Sequence, residues 1–157
     1  MRIQLAIAAD LPELTDLFRQ TVLAHGPQHY TAAQTQAWAT LDPERFRQLI
    51  LGVTTFVAVD DTGMLGFAGL GDDGHVASVY VRRDRLHQGI GTALLTQVLD
   101  HARSLGMARL YGEASHFSLG LFQKFGFQLD GTEAVDRQGV LFERYLVSLT
   151  LSRDNSL

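Results

Sequence analysis

The sequence contains no cysteine. Disulfides and thiolate metal sites are therefore excluded, and a reducing compartment such as the cytoplasm fits the composition. A run of about 18 apolar residues is also missing, so no membrane-spanning helix is expected. The N-terminus carries one arginine and then weak polar–apolar alternation, without the apolar stretch of a signal peptide. Positive charge is not in excess: the formal net charge is −4. A general nucleic-acid surface is not expected, because neutralising phosphates needs basic residues. Internal repeats, low-complexity tracts and linkers are absent. What is present is a 157-residue chain, 46% hydrophobic and 19% charged, long enough to bury one core.

The most informative stretch is 79–95. Val79-Tyr80-Val81 ends an apolar strand, a polar loop follows, and an amphipathic helix begins inside Gly89-Ile90-Gly91. Free N–H groups and the helix dipole make such a junction an anion site, and glycine lets a phosphate approach the backbone. Arg82, Arg83, Arg85 and His87 stand out against the acidic background and are expected to attract phosphate.

The rest of the chain arranges itself around that junction. An edge strand is expected at 2–6. A helix over 11–25 should start at Asp10, with Pro12 in its first turn, and stop at Gly26-Pro27. Thr31 and Gln34 have the capping-box spacing for a short helix through Trp38. Asp42-Pro43 starts another, with Phe46, Leu49 and Ile50 on its apolar side. The period then changes to strands at 54–59, 64–70 and 75–81, separated by turns rich in aspartate and glycine. A helix over 89–105 ends at Gly106, a strand follows at 108–114, and a short helix spans 118–124. Strands at 127–134 and 140–149 close a hairpin turned near Arg137-Gln138-Gly139. The strand–helix–strand step implies a right-handed crossover and a parallel pair. The expected class is α+β: a mixed sheet of about seven strands, an antiparallel meander plus one parallel pair, and four to five helices. One domain is expected over 1–151, with a frayed tail at 152–157.

Three motifs now carry a resemblance. Val79-Tyr80-Val81 followed by Gln88-Gly89-Ile90-Gly91-Thr92 is similar to the acetyl-CoA motif of the GNAT-type N-acetyltransferases. Glu113-Ala114-Ser115 followed by Phe122-Gln123-Lys124-Phe125-Gly126-Phe127 resembles the later motif of that family. His29-Tyr30-Thr31 leading to Trp38 resembles a bacterial subgroup of largely unassigned substrate. The resemblance spans nearly the whole chain. It departs at Leu86 and His87 in the loop, at Ser115 where many relatives have asparagine, and at Phe122, where many have the tyrosine that protonates the departing thiolate.

The resemblance implies acetyl transfer from acetyl-CoA to a primary amine of a small molecule or peptide, by direct attack in a ternary complex and without a metal. It assigns the diphosphate to the backbone of His87, Gln88, Gly89, Ile90, Gly91 and Thr92. The pantetheine arm goes to the edge of Val79, Tyr80 and Val81, with Ser115, Phe122 and Lys124 completing the cofactor set. His75 matches the position of the base in some relatives, and its imidazole titrates in a suitable range. Its other reading is a polar residue flanking a turn. Glu113 is the rival base, or else half of a cross-strand ion pair. Thiolate protonation is left to Ser115, Tyr80, Tyr111 or water. His29, Tyr30 and Trp38 are expected to form an aromatic, partly polar acceptor wall; their other reading, favoured for Trp38, is a small hydrophobic cluster under a loop. No histidine has a partner at metal-ligand spacing. Two other readings remain. One is a non-catalytic acyl-CoA-binding module, favoured by Phe122. The other is half of a dinucleotide fingerprint, opposed by Leu94 at its third glycine position. Oligomeric state is left open, with the C-terminal hairpin as a candidate homodimer contact.

Overall fold

The structure, a computed structural model, describes residues 1–151; the tail expected at 152–157 lies outside the described residues. These residues form seven strands: β1 (Arg2–Leu5), β2 (Thr54–Asp60), β3 (Gly63–Leu70), β4 (His75–Val81), β5 (Arg109–Ala114), β6 (Gln128–Arg137) and β7 (Val140–Thr150). Five α-helices accompany them: α1 (Leu11–His25), α2 (Ala32–Ala39), α3 (Pro43–Leu51), α4 (Ile90–Ser104) and α5 (Leu119–Lys124). The sheet order is β1-β2-β3-β4-β5-β7-β6, antiparallel except for the β4–β5 pair. This is the α+β mixed sheet that the periodicity predicts.

Local chemistry sets the helix ends. The Thr31 hydroxyl accepts from the Gln34 N–H at 3.0 Å, and the Gln34 side chain accepts from the Thr31 N–H at 2.9 Å. Asp42 accepts from the Arg45 N–H at 3.3 Å, with Pro43 at the first helical position. Asp10 behaves differently from a simple cap. Its carboxylate accepts from the Ile7 N–H at 2.9 Å and closes a 3-10 turn over Ala8–Asp10, which feeds α1.

Both faces of the central strands are covered, so β2 and β3 are buried almost continuously. On one face α4 lays Leu94, Leu95, Val98, Leu99 and Ala102 against Phe56, Ala68, Val76 and Leu110. On the other, Leu14, Leu17, Phe18 and Val22 of α1, with Phe46 and Ile50 of α3, meet Val57 and Phe67. Each fully buried Leu, Val or Phe contributes roughly 1.5–3 kcal/mol relative to exposure.

The closing hairpin runs further than its residue types suggest. β6 continues to Arg137, because Gln138 (φ 56°) and Gly139 (φ 78°) make a left-handed two-residue turn. Such a turn matches the strand twist and carries the ladder to its last pair, Arg137 with Val140.

One irregularity shapes the site. Gly69 pairs with Ser78 and Leu70 with Val76, so Ala77 is an extra residue in β4, a β-bulge. The bulge turns β4 away from β5. The parallel ladder holds only at His75–Tyr111 and Val76–Gly112. Beyond it the two strands diverge.

Candidate active site

A cavity of about 660 Å³ occupies that wedge between β4 and β5. All the residues expected at the cofactor line it, except Gln88, which is exposed on the loop. The strand edge is chemically prepared. The Arg82 N–H donates to Leu65 O on β3 at 2.7 Å, so alternate residues of β4 face β3. Val79 and Val81 turn their N–H and C=O the other way, towards the wedge. Val81 O accepts from the Thr21 hydroxyl at 3.1 Å. Val79 lies beyond the last β4–β5 pair and has no strand partner on that side.

At the outer end, Gly89 precedes α4 with φ 81°, and a Cβ there would meet nothing within 4 Å. Gly89, Ile90, Gly91 and Thr92, the first turn of α4 and the residue before it, line the cavity. Lys124 donates to the Thr92 hydroxyl at 3.2 Å and adds positive charge beside them. The arginines do less than the sequence suggests. Arg82 bonds Asp84 and the Thr62–Met64 backbone, and Arg85 bonds Asp60 and the Thr62 hydroxyl. Both guanidinium groups brace the turn between β2 and β3, which leaves Arg83, exposed on the loop, and Lys124 as the cations near the helix start.

At the inner end, Glu113 and Ser115 line both this cavity and a second one of about 150 Å³. The His75 Nε2–H donates to both Glu113 carboxylate oxygens, at 2.9 and 3.0 Å, and the imidazole stacks on Tyr111 with centroids 5.0 Å apart. That hydrogen bond holds the Glu113 carboxyl below its ordinary value, against the opposing effect of burial. The same bond raises His75, again against burial. The two shifts agree on an imidazolium–carboxylate pair. His75 lines neither cavity and stands behind Glu113. Ser115 Oγ accepts from the Phe117 and Ser118 N–H groups, each at 3.2 Å.

Of the tyrosines weighed as proton donors, Tyr111 is committed elsewhere, whereas Tyr80 keeps its own proton free and lines both cavities. The Tyr80 hydroxyl accepts from Trp38 Nε1 at 3.1 Å, and the Tyr111 hydroxyl donates to Asp73. Phe122 is buried and packs edge-on against Phe127 at 5.0 Å. It gives the larger cavity a hydrocarbon wall.

The second cavity is walled by Tyr30, Trp38, Tyr80 and Phe142, with Arg137 and Arg144 from the hairpin. Tyr30 and Trp38 meet edge to face at 5.2 Å, and the Tyr30 hydroxyl accepts from the His116 N–H at 3.1 Å. His29 lies outside it, stacked on His116 at 5.1 Å.

Comparison with known proteins decides the family. The model of the acetyltransferase (GNAT) domain matches residues 27–149. The chain belongs to the GNAT acetyltransferases. It is an acetyl-CoA-dependent acyltransferase. The chain is 31% identical to the L-methionine sulfoximine/L-methionine sulfone acetyltransferase of Pseudomonas aeruginosa, covering 88% of this chain and 85% of the relative. It is 24% identical to the uncharacterized N-acetyltransferase YafP of Escherichia coli, over 87% of each. In fold it resembles a GCN5-related N-acetyltransferase from Rhodopseudomonas palustris, with TM-score 0.91, 22% identity, and 96% and 95% of the two chains covered. It also resembles the PaiA N-acetyltransferase of Thermoplasma acidophilum, solved with coenzyme A, with TM-score 0.75, 16% identity, and 96% and 100% covered.

The smaller cavity of this GNAT domain holds residues that sequence reasoning missed. Arg137 lies at the turn expected near 137–139, and Phe142 and Arg144 lie in the strand expected over 140–149. Only the cross-strand register brings them beside Glu113: Val135 faces Phe142, Glu133 faces Arg144, and Glu113 faces Leu146. Among the described residues no group of three or more His, Asp or Glu could hold a metal, and no helix is long and apolar enough to cross a membrane.

Proposed function

We propose that this acetyltransferase moves an acetyl group from acetyl-CoA to the primary amine of a small molecule, in one ternary complex. The observation that carries the reading is the junction at Glu113 and Ser115, shared by the large wedge and the small cavity. A thioester lying along Val79 would end where an amine in the small cavity begins. The modest size of that cavity favours a small acceptor over a peptide, and the activity named for the Pseudomonas aeruginosa relative points the same way.

The chemistry balances as follows. The acceptor ammonium loses one proton and the neutral nitrogen bonds the acetyl carbon. The carbon–sulfur bond breaks, and the nitrogen releases a second proton as the amide forms. One proton is taken up by the CoA thiolate and the other leaves to solvent. The Val79 N–H is the donor for the charge that develops on the acetyl oxygen. Glu113, held ionised, receives the ammonium and orients its lone pair after proton loss. With a depressed pKa it is too weak a base to strip an amine of pKa about 10.4 unaided, so the proton passes through water at the cavity rim. His75 is a positioning residue, fixing the Glu113 carboxylate from behind. The thiolate needs little help: a thiol of pKa about 8.5 is a fair leaving group.

Release of CoA thiol in the presence of acetyl-CoA and a panel of amines, headed by L-methionine sulfone, tests the reading. Turnover on at least one amine is expected. Glu113→Gln should lower kcat/KM for the amine by about 10²-fold while leaving stabilisation by acetyl-CoA intact. An unchanged kcat/KM would remove Glu113 from the mechanism.

A further inference from the structure

The two arginines of the small cavity are not equivalent. Arg144 is paired: it bonds Glu133, and its Nη1 lies 3.8 Å from Glu113. Arg137 also lines the cavity, is half-buried, and has no ion-pair partner among the described residues. Burial pushes its guanidinium pKa down, and the neighbouring Arg144 and Arg45 charges act in the same direction. A cation held in this way, in a recess beside other cations, is more stable once an anion is bound. Its planar fork suits a carboxylate in particular. Across the same recess stands Glu113, a carboxylate already argued to receive an ammonium. The same recess is walled by Tyr30, Trp38, Tyr80 and Phe142, four aromatic rings that suit an apolar or weakly polar side chain. Glu143 reaches the rim but is exposed and does not pair with Arg137.

From this juxtaposition we infer that the acceptor is a zwitterion: a free α-amino acid with an apolar or weakly polar side chain, its carboxylate on Arg137 and its α-amino group on Glu113. The inference rests on the small-molecule amine reading above and adds the charge pattern of the substrate. It also excludes residues within a peptide chain, whose α-carboxyl is already an amide.

The decisive comparison uses the intact protein, acetyl-CoA, and three series of acceptors: free L-amino acids, their α-carboxamides, and the corresponding decarboxylated amines. The free acid should exceed its carboxamide in kcat/KM by roughly 10- to 100-fold. Arg137→Gln should raise KM for the acid by a similar factor, with smaller change in kcat, and leave KM for the carboxamide and for acetyl-CoA where they were. Arg137→Lys should restore part of the loss, because it keeps the charge but not the fork. Equal use of acid and carboxamide by the unaltered protein would overturn the inference while leaving amine acetylation standing. So would an equal loss on both substrates in Arg137→Gln. No thiol release with any amine would instead overturn the function on which the inference rests. Arg137 lies at a hairpin end, and an unchanged response to acetyl-CoA certifies that its variants are folded.

Discussion

Glu113 and His75 form the contact on which stability and chemistry most directly meet. His75 rises above its ordinary value of 6.5, first through the hydrogen bond to Glu113, so its contribution to stability is complete below that value and is lost as pH climbs through the raised one. Glu113 falls below its ordinary value of 4.5, first through the same bond, so its contribution is complete above that value and is lost as pH drops through the lowered one. The pair therefore stabilises the protein most between 4.5 and 6.5. The difference in Tm between the unaltered protein and His75→Ala should be largest near pH 5.5 and shrink by about pH 9; a difference that stayed constant over this range would show that the imidazole acts by packing alone. A second residue stores strain. His87 adopts φ 60°, where a side chain costs roughly 1–2 kcal/mol and glycine costs nothing extra in the folded state. His87→Gly, after the entropy that glycine loses on folding, should raise stability by up to about 1 kcal/mol in denaturant melts. The sequence singles out His75 and Glu113 but cannot choose between their readings. His75 as base or turn residue, Glu113 as base or ion pair, were open alternatives because each depends on what lies 38 positions away across the β4–β5 pair.

The junction of β4 and α4 was the element most legible in the sequence, because its signals are local: a strand period, glycines at the turn, a helical stripe after them. The bulge at Ala77 was not legible. Read as an unbroken strand, 75–81 puts His75 on the same face as Val79 and Val81. The extra residue instead groups Val76 with Val79 and Val81 towards α4, and leaves His75 on the face of Glu113 and Tyr111. Nothing in the residue types announces such a bulge, since it is fixed by pairing with β3. The α4 terminus also separates helix stability from anion binding. Thr92 stands in the first turn of α4 and receives the Lys124 ammonium. An aspartate there would suit the helix dipole by about 0.3–1 kcal/mol and would repel a diphosphate. Thr92→Asp should therefore hold or raise Tm while increasing KM for acetyl-CoA more than about tenfold. A variant that melted earlier and bound acetyl-CoA unchanged would place the diphosphate elsewhere.

At the scale of the whole molecule, element order was readable because each element announces its own period, and the meander, the parallel pair and the hairpin followed from short connections and one crossover; the insertion of β7 between β5 and β6 was not readable. The smaller cavity was not readable, because it is assembled from α2, β4, β5 and both strands of the hairpin, and its charges meet only through register. The same assembly makes one global measurement informative. The wedge lies between two halves of the sheet that are joined along β4–β5 by two residue pairs, His75–Tyr111 and Val76–Gly112. A ligand that lies along β4 and also touches Ser115, Phe122 and Lys124 bridges those halves, and it binds the folded chain alone. Mass action then raises stability by about 2.7 kcal/mol at a hundredfold excess over Kd. For a chain of this size that corresponds to a rise in Tm of roughly 5–10 °C. Acetyl-CoA should produce this shift, and free acetate or adenosine should not, because neither spans the wedge. No shift at millimolar acetyl-CoA would remove the cofactor from this cavity and, with it, every assignment made along β4 and α4.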